Sequence, residues 1–170
     1  ENQVQVYDQA AGGAQTFTLN NAETDAGNCL ILPCGELDGN YYSEYMIVEY
    51  ITGEGNNSGL NRDYNWEPAK IESGVRVFHI YADVSDNGWW KYFTYENGSD
   101  ETNGDDAGIR LIRIIDDTDT DNFYHTGDVI DSSISGFRWY DANGGQTVDP
   151  GLKITVGDLT NDSYTITVSR

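Results

Sequence analysis

Positive charge is scarce in this chain. Nine Lys and Arg face 29 Asp and Glu, a formal net charge of −20 over 170 residues. A field of that sign repels nucleic acid and anionic membranes, keeps the protein dissolved and draws divalent cations. Cysteine occurs twice, at Cys29 and Cys34. If 29–32 is a strand, roughly 16 Å separates the pair, against the about 7 Å that disulfide Cα atoms allow. Both read as free thiols; a bridge would require a turn at Pro33. With no C-x-x-C pair, neither zinc nor redox spacing is met. No apolar run approaches the ~20 residues that span a bilayer. No signal segment opens the chain, and Glu1 reads as the start of a processed product or excised domain. Apolar residues at helical spacing never persist beyond about two turns. Histidine occurs only at His79 and His125.

Aromatic residues, by contrast, are abundant: 12 Tyr, 4 Trp and 5 Phe, more than a disordered acidic chain carries. Strand-like runs recur at 4–7, 15–19, 29–32, 45–51, 75–84, 89–95, 109–115, 137–140, 152–156 and 163–169. Gly, Asn and Asp clusters at 20–28, 53–61, 96–108, 116–122 and 141–145 separate them, and these residues accept turn conformations. In the last run Tyr164, Ile166 and Val168 face one way, Thr165, Thr167 and Ser169 the other. One side is buried and one wet. Runs 45–50 and 75–84 are apolar on both faces, which places them centrally, covered on both sides or at a domain interface. Length sets one domain over 1–170. The expectation is an all-β, single antiparallel β-sandwich of about ten strands with long Gly/Asn/Asp-rich loops, monomeric.

Segment 43–83 holds SEYMIVEY, then GLN, then GVRVFHIYA. This order resembles the region that follows the catalytic core in secreted zinc metallopeptidases of the immune inhibitor A type. Ala26–Leu32 ahead of it resembles that family's strand before this region, while Gly108–Arg113, Phe123–Asp128 and Leu152–Val168 behind it are similar to its later strand, its phenylalanine-then-GD turn and its final hairpin. The resemblance covers about 22–170. Hydrolysis in that family needs two imidazoles one helical turn apart and a glutamate that activates water, an H-E-x-x-H helix. No such helix is present here. Tyr81 also stands where family members often have aspartate, two residues after His79. The resemblance therefore implies a non-catalytic accessory module, extracellular and bacterial, with no zinc site and no enzyme activity. Its partners would be neighbouring domains of the parent protein.

An independent carbohydrate-binding module is the alternative. In 89–95, Trp89, Lys91, Phe93 and Tyr95 share one strand face, and Trp90, Tyr92 and Thr94 the other. One face suits a core, and the other would present Trp90 and Tyr92 to a polysaccharide. Burial of both faces, or docking of the outer one, is the plainer use. Tyr41, Tyr42, Tyr45, Tyr64 and Trp66 would line a groove or pin the long loop. Asp117, Asp119 and Asp121 form D-x-D-x-D, a set of alternate oxygens able to wrap calcium. Asp100, Glu101, Asp105 and Asp106 would complete the shell, while a solvated acidic turn needs no ion. His79, inside a doubly apolar strand, reads as a satisfied core histidine. His125 reads as a surface residue, and Asp128 as turn chemistry.

Overall fold

Period-two alternation sets the strands of this chain. The computed structural model describes residues 3–37, 39, 41–53, 73–82, 112–115, 123–142 and 145–170. Every regular element among them is β: β1 (Val4–Val6), β2 (Gln15–Asn20), β3 (Cys29–Pro33), β4 (Glu44–Ile51), β5 (Gly74–Tyr81), β6 (Ile112–Ile115), β7 (Val129–Ile130), β8 (Trp139–Tyr140), β9 (Gln146–Val148), β10 (Lys153–Thr160) and β11 (Ser163–Ser169). They form a five-stranded sheet in the order β1-β3-β4-β5-β6, a four-stranded sheet in the order β2-β11-β10-β7, and the hairpin β8-β9.

Both larger sheets send side chains into one apolar cluster. Leu30, Leu32, Met46, Val48, Val75, Val77 and Ile115 come from the five-stranded sheet. Leu19, Ile130, Ile154, Val156, Ile166 and Val168 come from the four-stranded one. Tyr50 and Tyr164 meet edge-on across the cluster, with ring centres 5.0 Å apart. β11 buries Tyr164, Ile166 and Val168 and turns Thr165 to solvent, the alternation its sequence carries.

The β10–β11 connection is a two-residue hairpin. Asn161 and Asp162 have φ of 51° and 58°, the left-handed pair of a type I′ turn. Asp162 then accepts from the Tyr50 hydroxyl at 2.9 Å, tying the turn to the other sheet. Between Val156 and Leu159 the ladder shifts register. Gly157 sits in that bulge, where a Cβ would come 2.8 Å from the Thr165 carbonyl oxygen, so only glycine fits unshifted.

Antiparallel pairing holds throughout the described ladders except at β1, which runs parallel to β3. The reason lies in the connection. The chain leaves β1, adds β2 to the other sheet and returns as β3 pointing the same way as β1. A tight hairpin cannot make that pairing, but a crossover does. Run 137–140 shortens to Trp139–Tyr140, because Phe137 closes a turn by donating its N–H to Ile134 O at 3.2 Å. Run 152–156 extends instead to Thr160. Run 89–95 lies outside the described residues, as do Val84 and 109–111. β7 and β9 add to the expected set.

Candidate functional site

The alternation of β4 splits its side chains cleanly. Glu44, Met46, Val48 and Tyr50 are buried toward the core, so Tyr45, Ile47 and Glu49 face away from it. Register carries this outer face across the sheet. Val6 pairs with Ile31, Ile31 with Ile47, Ile47 with Phe78 and Phe78 with Ile114. A straight apolar row thus crosses all five strands, a span of about 19 Å at ~4.8 Å per strand. Pro33, Tyr45, Ile80 and Ile112 form a second apolar row beside it. A third row runs Val4, Cys29, Glu49, Arg76. At the sheet edges Val4, Val6, Ile112 and Ile114 are 47%, 43%, 57% and 41% exposed. Ile31, Ile47 and Phe78 between them are half-buried. An antiparallel sheet with one wet face is polar on that face; this one is apolar on both.

Within the third row, Arg76 lays its guanidinium over the Phe123 ring, 4.1 Å from the centroid. The Val75–Tyr124 bridge brings Phe123 there. Glu49 and Cys29 sit side by side on β4 and β3. Burial pushes the Glu49 carboxyl above its ordinary value. Burial, then the Glu49 charge, does the same to the Cys29 thiol.

The core side of β4 and β5 holds a closed polar cluster. His79, with no exposed surface, lies 2.7 Å from Glu44 Oε1 through Nε2. The Tyr140 N–H donates to the same oxygen at 2.8 Å. Gln146 Nε2 is 2.8 Å from Gly136 O, 3.2 Å from Arg138 O and 3.1 Å from His79 Nδ1. A carboxylate only accepts, so the His79–Glu44 bond is donated by the ring Nε2–H. Trp139 and Tyr140 pack against the ring at 5.7 and 5.1 Å. The cluster latches hairpin β8–β9 onto the five-stranded sheet. Cys34 joins it from the end of β3. Burial, the Glu44 charge and its own S–H bond to Glu44 push the Cys34 thiol up to about 12. A thiol so held stays protonated and is a poor nucleophile.

His79 is thus a satisfied core histidine, as its strand implies. Cys29 and Cys34 are free and belong to opposite faces of one strand path, which accounts for the missing bridge. Asp128 does close a turn, accepting from the His125 N–H at 2.7 Å, and His125 is half-buried there. Tyr42 lines a cleft of about 300 Å³ with Val6, Asp8, Gln9, Pro33 and Leu37, at the ends of β1 and β3. The aromatic candidates Trp89, Trp90, Tyr92, Tyr95, Tyr64 and Trp66 lie outside the described residues, as do Asp117, Asp119 and Asp121. Among the described residues no group of three His, Cys, Asp or Glu is placed to hold a metal ion. No helix there is long and apolar enough to cross a membrane.

The residues that sequence reasoning passed over are Glu49 and Arg76, and the Glu44–His79 pairing. Two polar positions inside otherwise apolar strands were the available signal for the first. The second depends on register, which no local pattern carries. No protein-family model, curated protein or solved structure matches the chain.

Proposed function

We propose that the chain is a β-sandwich accessory module without peptidase chemistry of its own, from a secreted protein of the immune inhibitor A metallopeptidase type. It docks a neighbouring domain of that protein through the outer face of its five-stranded sheet. The observation that carries this reading is the row Val6–Ile31–Ile47–Phe78–Ile114. Contiguous apolar surface of this kind marks an interaction site. The shared core of the two larger sheets supports the sandwich. The closed Glu44–His79 cluster fits a module whose polar groups serve structure. A cover over the outer face would bury both sides of β4 and β5, matching their doubly apolar sequences.

The test begins with the reading frame around the chain, which should encode an adjoining domain. Produced as separate polypeptides, that domain and this chain should associate. Ile47→Glu should weaken the association at least about tenfold while the isolated chain keeps its fold, since a charge at a buried interface centre is costly. Loss of about 2–5 kcal/mol of stability in isolated Ile47→Glu would instead mark the row as part of the chain's own core and sink the reading.

A further inference from the structure

Beside the apolar row, the outer face has a recess of about 200 Å³, with Gln3, Val4, Asn28, Cys29 and Glu49 among its lining residues. Most of its polar groups are already engaged. Asn28 accepts from the Asn20 N–H at 2.9 Å and donates to Thr18 O at 3.1 Å. The Gln3 carbonyl accepts from the Cys29 N–H at 2.9 Å. Glu49 differs: among the described residues no hydrogen bond or ion pair reaches its carboxylate. Its cross-strand neighbour Arg76 is stacked on Phe123 instead. A half-buried carboxylate without a counter-charge is costly to keep ionised, and burial indeed pushes its pKa up. The same carboxylate, once covered, requires a donor.

We propose that the docking partner inserts a cationic side chain, lysine or arginine, into this recess to meet Glu49, so that the face selects an apolar surface carrying one fixed positive charge. This rests on the docking reading above and adds the partner's chemistry to it. Charge complementarity carries the choice. The recess is lined by one carboxylate and no basic side chain, and it adjoins the apolar row one register step away, Cys29–Glu49 beside Ile31–Ile47. An arginine or lysine stem would lie along the row's end with its head group in the recess. The paired charge would set register at the end of a row that is apolar along its whole length.

The experiment uses the full chain, isotope-labelled, titrated with hexylguanidinium, hexanol and hexanoate and followed by amide NMR. Hexylguanidinium should shift the amides of Cys29 and Glu49 and bind about fivefold or more tightly than hexanol, the range of a half-exposed charge-assisted contact. Glu49→Gln should bring the two within about twofold, though it alters the net charge by only one, so general attraction to an acidic protein is controlled. A preference that persists in Glu49→Gln, or shifts scattered over the surface, would overturn the inference. Hexanol mapping to Ile47, Phe78 and Ile114 without any preference for the cation removes the cation and leaves the docking reading standing. If no probe touches the outer face, both fall.

Discussion

Two ionisable residues on β4 show what burial does to a single group. Glu44 points inward and is ringed by donors; Glu49 points outward and has none among the described residues. A carboxyl held above its ordinary value in the fold binds more protons folded than unfolded between those two values. Stability must therefore fall as pH rises through that interval. Glu49→Gln escapes the cost. The variant should be more stable than the parent at pH 7, with the gap closing below the ordinary glutamate value of 4.5, as urea unfolding across pH will read. Cys34 offers a second test. Burial and the Glu44 charge push its pKa up to about 12, so its thiolate is scarce at pH 8. Iodoacetamide at pH 8 should label Cys29 well ahead of Cys34. Glu44→Gln, which removes the neighbouring charge, should speed Cys34, with both sites followed by mass spectrometry.

Among the elements, the β10–β11 turn and the β8–β9 latch do different jobs. Asp162 combines a left-handed backbone with bonds to the Tyr50 hydroxyl and the Asn21 amide. Asp162→Ala keeps the backbone strain and loses both partners, so a cost of about 1–3 kcal/mol is expected in chemical denaturation. Glu44→Leu strands the His79 Nε2–H and the Tyr140 N–H and should cost about 2–5 kcal/mol. Hydrogen exchange should show the amides of β8 and β9 losing protection before those of β10 and β11. The long strands were legible because their patterns repeat: β11 alternates, while β4 and β5 conspicuously fail to. That failure was the trace of the outer face. β7 and β9 escaped notice because two or three residues, Val129–Ile130 or Gln146–Val148, hold too little period to stand out. The parallel partner of β1 was unreadable for another reason. Nothing in Val4–Val6 records that β2 crosses to a different sheet. Glu44 and His79 meet only through the Met46–His79 register, a tertiary outcome. Of the aromatic candidates only Tyr41, Tyr42 and Tyr45 fall among the described residues; Tyr64, Trp66, those of 89–95 and both acidic loops lie outside them.

At the level of the whole molecule, the charge of −20 works against the compact state. Like charges held within a small volume repel, and salt screens them over about 10 Å at 0.1 M. Raising sodium chloride from 10 to 500 mM at pH 7 should lift Tm by about 3–6 °C, the equivalent of ~1–2 kcal/mol for a chain of this size. A calorimetric scan at both salts decides it; a flat or falling Tm would mean that self-repulsion is not limiting.

The pairing of β2 with β11 sets the molecule's timetable. Gln15 bonds opposite Val168, and Leu19 opposite Tyr164. A ribosome adding ~5–20 residues per second needs roughly 8–30 s to travel between those partners. Throughout that interval β2 has emerged and has no mate, and the four-stranded sheet cannot close. The β10–β11 hairpin, joined by two residues, forms within about 1–10 μs of its release. Within this segment, the strand made last therefore recruits one made early, and the core is sealed only when β11 has emerged.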